Sequence, residues 1–444
     1  MKKIQLFLIT CCLSLTISAF NPFKATGNNH YAVLVAGSND FWNYRHQSDI
    51  FHAYQILTKN GIPKENIIVF AYDDIARARE NPFPGKVFNK PDPTGPGVNV
   101  YEGVQIDYRG RDVTPKNFLA VLKGDKAALK GKGTGRVLES GENDNVFIYF
   151  SDHGGIGVIE FPTHELYAIS LISTIKHMHE NKRYKEMVIY IEACESGSMF
   201  YYILPKNINV YATTASRPLE SSSGTYCGKD AVVNGKKIGS CLGDEYSVNW
   251  MEDTESDSSL SETLNDQYAK IKAKTKESHV QQYGDLSIAQ KDIGQFQGNH
   301  GNSLFDKVRN TITRIIRKFT SNQAESAPER ISIDSRDIKL RYLQEKAEST
   351  NSKADIDAYN TELNFVKKVD SIFNSFDQMF DINRETEITS INFECLEASV
   401  NEYKKTCNWG EYALKYVRNI AIACQKNIST EEIAIAFDKI CILA

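Results

Sequence analysis

The stretch that most constrains this chain is Met187–Ser198, MVIYIEACESGS. A run rich in Val and Ile, as a strand buried on both faces needs to be, breaks off into Glu-Ala-Cys-Glu-Ser-Gly, so a cysteine is held at the end of a rigid strand. Asn145–Gly155, NVFIYFSDHGG, is built in the same way: an apolar strand, then Asp152, His153 and two glycines that let backbone come close to a ligand. Two parallel strands that end together place His153 beside Cys194. A thiol is a weak nucleophile at neutral or acid pH, and an adjacent imidazole that takes or shares its proton gives a reactive thiolate. The backbone N–H groups of Cys194 and Gly154 then point at the oxyanion of a tetrahedral intermediate. The competing assignment is a buried core thiol and a turn histidine, but both residues stand among glycines and small residues, where packing does not call for them.

With SDHGG at 151–155 followed by EACESGS at 192–198, the sequence resembles the legumain family, the asparaginyl endopeptidases, which share a caspase-like fold. The resemblance continues in AGSNDFWNYRHQSD at 36–49, GIPKENIIVFAYDD at 61–74, DVTPKNFLAVLKGD at 112–125, INVYATTA at 208–215, LGDEYSVNWMED at 242–253 and QFQG at 295–298. It covers essentially the whole chain, including a four-cysteine C-terminal region. It implies an α/β caspase-like domain with a mostly parallel central sheet flanked by helices, plus a C-terminal all-α disulfide-stapled prodomain. It also implies a cysteine endopeptidase working through a Cys-His acyl-enzyme, with Asn43 as the third member whose amide oxygen accepts the imidazole N–H and fixes the ring.

By the same resemblance Arg45, His46, Glu192, Ser221 and Asp244 form the pocket for the side chain preceding the scissile bond. An asparagine carboxamide has an acceptor oxygen and a donor NH2, so a guanidinium on one wall and a carboxylate on the other satisfy both ends. Ionised aspartate meets the carboxylate wall and is rejected, whereas protonated aspartate donates, so acid pH admits it. Asp152 either tunes His153 electrostatically or caps the following turn.

In chain order, Met1-Lys2-Lys3 and the apolar run Ile4–Ala19 read as a secretory signal peptide over 1–19, followed by a short propeptide over 20–29. The peptidase domain is expected over 30–298, an activation segment over 299–336 and the helical prodomain over 337–444. The expected strands are Tyr31–Ala36, Ile67–Tyr72, Val146–Phe150, Val188–Glu192 and Val210–Thr213, with helices at Ser48–Asn60 and Ser170–Asn181. Asn81–Gly110, rich in Pro, Gly and Asp, is expected as a long surface excursion. Asp306–Phe319 is a basic amphipathic piece within the activation segment. The net charge of −4 gives no reason to expect nucleic acid.

Of nine cysteines, Cys11 and Cys12 lie in the signal, leaving an odd number. Sequence alone allows three pairings of the last four; the resemblance implies Cys395–Cys424 and Cys407–Cys441. Cys227 and Cys241 bracket what looks like a hairpin tip that a bridge would staple. With those three bridges Cys194 is the remaining thiol. Asn427-Ile428-Ser429 is a glycosylation sequon. Candidate self-cleavage sites are Asn302, Asn310 and Asn322, with Asp334 in acid. No H-E-x-x-H, no phosphate loop and no dinucleotide fingerprint occurs, so no metal and no cofactor is expected. The expected partners are protein or peptide substrates with Asn before the scissile bond, the chain's own prodomain as inhibitor and cystatin-type inhibitors, in the secretory pathway to lysosome or vacuole, or outside the cell. Two alternatives share the fold: a peptide ligase that uses an amine in place of water, and a catalytically silent binding protein, against which the intact Asn43, His153 and Cys194 argue.

Overall fold

The computed structural model describes residues 29–201, 203–256, 259–298, 330–407 and 409–443. The expected leader over 1–19, nearly all of the expected propeptide over 20–29, the basic piece and the candidate cleavage sites Asn302, Asn310 and Asn322 lie outside these residues. Six strands form the central sheet: β1 (His30–Ala36), β2 (Ile67–Phe70), β3 (Asn145–Ser151), β4 (Glu186–Glu192), β5 (Val210–Thr214) and β6 (Gln281–Gly284), in the order β6-β5-β4-β3-β1-β2. All neighbours are parallel except β6, which runs antiparallel to β5. Side chains alternate across each strand and feed two cores. Leu34, Phe147, Tyr149, Val188 and Tyr190 face α1 (Tyr44–Lys59) and the Trp250 helix Glu245–Glu255, whereas Val33, Val35, Ile148, Ile189 and Ile191 face Pro115–Lys123 and Ala168–Glu180.

The parallel register sets the site. Ala36 stands opposite Ser151, and Ser151 opposite Glu192, so three strands end level. His153 and Cys194 each follow two residues beyond that line, at the carboxyl edge of the sheet where open α/β sheets carry their ligands. The Asn81–Gly110 stretch has no regular helix or strand, yet it is not a surface excursion: Asn81, Val87, Phe88, Asn89, Val100, Ile106, Asp107 and Tyr108 are buried. Its Pro, Gly and Asp content marks turns, and between those turns Val87, Phe88, Val100 and Ile106 return to the α1 side of the core while Tyr108 joins the opposite one.

The C-terminal region is helical from Ile338, through Ile338–Thr350, Lys353–Phe380, Phe393–Thr406, Val417–Gln425 and Thr430–Leu443. Cys395–Cys424 and Cys407–Cys441 tie the Phe393 helix to the last two, and Cys227–Cys241 closes a turn that contains the short hairpin Val232–Val233 with Lys236–Lys237. Asn427 is exposed between the last two helices. This region shares one apolar cluster with Ile156, Val158 and Tyr167, on the small antiparallel sheet that follows His153. It therefore sits directly over the carboxyl edge of β3 and β4.

Candidate active site

Between β1 and α1 the chain turns through Phe41–Asn43, and Asn43 occupies the N-cap position of α1. An asparagine there ordinarily accepts a backbone N–H of the first turn. Here its side chain makes no cap; Asn43 Oδ1 lies 2.9 Å from His153 Nε2 instead. The helix start thus gives up a stabilising bond to hold an imidazole, and Asn43 fixes the ring through Nε2.

Cys194 is buried and is the free cysteine among the described residues. The backbone of Gly154 packs directly against it: a Cβ on Gly154 would lie 2.4 Å from Cys194 O and 3.0 Å from Ala193 Cβ. The Ser222 N–H donates to Cys194 Sγ at 3.3 Å. Gly154→Ala is therefore expected to displace the two segments that carry Gly154 and Cys194 and to lower kcat by about a hundredfold, as loss of an oxyanion donor does. Steady-state kinetics on folded variant, checked by circular dichroism, measure this; a kcat within a few-fold of the parent would exclude the assignment.

Arg45, His46, Glu192 and Asp244 are gathered in one buried group, with Ser221 at its rim. Arg45 is fully buried and its Nε donates to Asp244 Oδ1 at 2.8 Å. Its Nη1 donates to Trp42 O at 3.3 Å, and Nη2 has no partner. Glu192 Oε2 accepts from Ser247 N at 3.0 Å and Ser247 Oγ at 2.9 Å, leaving Oε1 unpartnered; Asp244 Oδ2 is unpartnered too. His46 Nδ1 lies 2.7 Å from Ser38 Oγ and 3.3 Å from Asp152 Oδ1, and its ring meets that of His153 edge-on with centroids 5.0 Å apart. Asp152 thus faces His46 and makes no turn cap. His46, Asp152 and His153 are close enough to share a metal ion, since one ligand atom from each lies within 4.8 Å of the others. Both imidazoles of that trio are already engaged, His46 by Ser38 and His153 by Asn43.

Three contacts from the C-terminal side had no signal in the sequence, because each depends on tertiary docking. Glu411 enters the site, accepting from Asn43 Nδ2 at 2.6 Å and Trp42 Nε1 at 3.2 Å, with its carboxylate 3.5 Å from His153 Nε2. Arg336 pairs with Glu195 and donates to Gly154 O at 3.4 Å. Ile333–Asp334 adds as an antiparallel strand to Ser223–Thr225, whose other edge pairs with Gly243–Asp244. Ile331 O and the Ser335 N–H extend that pairing to Cys227 N at 3.1 Å and Ser222 O at 3.0 Å, as a bound peptide extends a sheet edge. Asp334 stops at the rim, its Oδ2 accepting from Ser221 Oγ at 2.5 Å, and does not reach the unpartnered atoms of the pocket.

Burial pushes the Cys194 thiol up to about 12; Glu195 and Asp334 push the same way, while Arg336 and the Ser222 N–H oppose. His153 is held well below the usual imidazole range by burial, then by Arg45, Arg336 and Lys339. Both shifts disfavour the thiolate and the imidazolium.

Compared with known proteins, residues 30–299 match the Peptidase C13 family and residues 351–441 match the legumain prodomain. The chain is 42% identical to legumain of Mus musculus over 423 residues, covering 94% of this chain and 93% of that protein. It is 41% identical to the hemoglobinase of Schistosoma japonicum over 93% of this chain and 92% of that one. With the vacuolar-processing enzyme of Vicia sativa the identity is 39%, over 93% of this chain and 85% of the plant protein.

Proposed function

The chain belongs to the peptidase C13 (legumain) family of cysteine endopeptidases, and we propose that it is a zymogen whose processed form cuts peptide bonds after asparagine. The observation that carries this reading is the set of unpartnered atoms in one buried pocket: the donor Arg45 Nη2 and the acceptors Glu192 Oε1 and Asp244 Oδ2. A carboxamide supplies one acceptor oxygen and two N–H donors, the complement of that set. An alkyl side chain there leaves all three buried polar atoms unsatisfied, which costs about 1–3 kcal/mol each.

In this reading His153 takes the Cys194 proton and the thiolate attacks the scissile carbonyl carbon. The carbonyl π pair moves to oxygen, where the N–H groups of Gly154 and Cys194 receive it. Collapse expels the amine with the proton from His153, and water then releases the acyl group with His153 as base. Asn43 holds the ring throughout. The C-terminal helical region serves as inhibitor, with Glu411 over Asn43 and the 331–335 strand along the peptide-binding edge.

Release in acid is part of the proposal, and the interface carboxyls act in opposite senses. Glu252 pairs with Arg330 at 2.6 Å; although burial resists, Arg330 and Lys90 hold its carboxyl below the ordinary value of 4.5. That contribution is present above 4.5 and is lost as pH falls through the depressed value. Glu195 is pushed by burial up to about 7 against the pull of Arg336, so its contribution is full below about 4.5 and fades as pH rises through 7. Acid thus loosens the Arg330 end first and leaves the Arg336 end seated.

The three disulfides support folding in an oxidising compartment, and among the described residues no helix is long and apolar enough to cross a membrane. We place the protein on the secretory route to an acidic compartment or outside the cell. The test is to hold the proprotein at about pH 4–5, follow its mass, and measure cleavage of matched peptides with Asn, Asp or Ala before the scissile bond. Self-shortening with Asn-selective, Cys194-dependent cleavage is expected, and Asp is accepted only toward acid. Equal rates on Asn and Ala would overturn the pocket.

A further inference from the structure

We propose that Asp49 is a further specificity-determining residue: a neutral carboxylic acid, behind the pocket, that positions Asp244 for the carboxamide. The inference rests on the pocket reading above and adds a residue to it. Asp49 lies one turn beyond Arg45 on α1 and is fully buried. Its Oδ1 accepts from Asn89 Nδ2 at 2.7 Å and its Oδ2 from Ser151 Oγ at 3.3 Å. The Asp244 N–H lies 3.3 Å from Oδ2 and 3.4 Å from Oδ1. The approach is close enough that a Cβ on Gly243 would lie 2.9 Å from Asp49 Oδ1 and 2.8 Å from Asn89 Nδ2. The Gly243–Asp244 strand is therefore seated on Asp49 and Asn89.

Arg45 Nε engages Asp244 Oδ1 at 2.8 Å and holds that carboxyl ionised, whereas Asp49 is met by the neutral donors Asn89 Nδ2, Ser151 Oγ and the Asp244 N–H. The charged and titratable groups facing this pair bear that out. Glu192 on β4 adds a third buried acid, and Arg45 is the one guanidinium against three carboxyls. His46, whose Nε2 lies 3.7 Å from Asp244 Oδ2, is held below the usual imidazole range by burial and by Arg45. The Tyr149 phenol stays protonated and donates to Ser247 Oγ at 2.6 Å. Three ionised acids around one cation, away from water, is a costly arrangement, and a proton on Asp49 relieves it. Burial, then Asp244 and Glu192, push Asp49 above the usual carboxyl range in agreement.

Asp49→Asn keeps the shape of the neutral acid, whereas Asp49→Ala removes the seat of Asp244. In the processed enzyme, Asp49→Asn is expected to hold kcat/KM for an Asn peptide within about threefold of the parent and to leave the pH profiles for Asn and Asp peptides in place. Asp49→Ala is expected to raise KM for the Asn peptide about tenfold or more with a smaller change in kcat, since it loosens a ground-state binding wall. If Asp49→Asn loses activity, shifts the acid limb for Asp peptides by a pH unit or does not fold, the neutral-acid assignment is overturned. If Asp49→Ala folds with KM unchanged, the positioning role is overturned, and if it does not fold, the Asp49→Asn profile alone decides. A parent enzyme that shows no preference for Asn would defeat the pocket reading itself, an outcome distinct from all of these.

Discussion

Arg45→Met in the processed enzyme is expected to lower kcat/KM for an Asn peptide by about a thousandfold, because the substitution removes the donor for the carboxamide oxygen and strands a buried carboxylate; breaking a buried ion pair costs about 3–5 kcal/mol and each 1.4 kcal/mol is about tenfold. Arg45 and Asp244 are essentially inaccessible to solvent, so water cannot compensate. The same change lowers Tm, and the deficit depends on pH in a defined sense. Burial raises the Asp244 carboxyl above its ordinary value of 3.8 and Arg45 opposes that rise. Without Arg45 the folded-state value climbs further, so the lost stability is largest near neutrality and shrinks as pH falls toward the unfolded value. Arg45→Lys keeps the charge but not the fork that reaches Asp244 and the pocket together, and is expected to fall between the two. Matched Asn and Ala peptides assayed between about pH 4 and 7 provide the measurement. An Arg45→Met enzyme within threefold of the parent on the Asn peptide would sink the pocket assignment.

The sheet and the site differ in how much of them the sequence carried. NVFIYFS and EMVIYIE are buried strands on any reading, because seven consecutive positions close to both faces leave no helical stripe, and the two end where Ser151 meets Glu192. Register therefore delivers His153 beside Cys194 from local pattern alone. The sequence pattern starts α1 at Ser48, four residues late, because Tyr44, Arg45 and His46 show no amphipathic stripe; all three are buried, two of them in the pocket group. That local rule is broken where function uses it, as is the unused cap at Asn43.

The burial of Asn89 and Tyr108 was not legible, since a stretch punctuated by Pro and Gly gives no period from which to infer an inward face. Nor was Asp49 distinguishable from any helix-start acid: its meaning comes from Asn89 and Asp244, which reach it from distant points of the chain. Glu411 and Arg336 belong to the same class. Their partners lie 141 residues or more away in sequence, and nothing local marks them.

Cys194 in the intact proprotein is expected to react with iodoacetamide at pH 6–7 about a thousandfold more slowly than in the processed enzyme, because the thiol is pushed from 9.0 to about 12 and the thiolate fraction falls tenfold per unit. The cause lies partly in the C-terminal region. Burial raises the thiol, Arg336 opposes that rise and Asp334 adds to it, while Arg336 and Lys339 join burial and Arg45 in lowering His153, so the charges of the docked chain act chiefly against the imidazolium. Removing it exposes the site, takes away Asp334, Arg336 and Lys339, and lets the pair ionise. In the proprotein the alkylation rate should climb with each pH unit and show no plateau below pH 9; the processed enzyme should level off at lower pH as the imidazolium forms. Mass spectrometry after timed alkylation reads both, with Cys194→Ser as blank, and the other six described cysteines are held in disulfides. A raised thiol value favours the docked state below the ordinary thiol range and penalises it as pH rises toward 12, so this contact loosens in alkali and not in acid. In the proposed acid release the driving carboxyls are ones held low by docking, and Glu252, paired with Arg330 next to the 331–335 stretch, is such a carboxyl. Equal alkylation rates before and after processing would show that the dyad ionises under the prodomain, and that inhibition is steric alone.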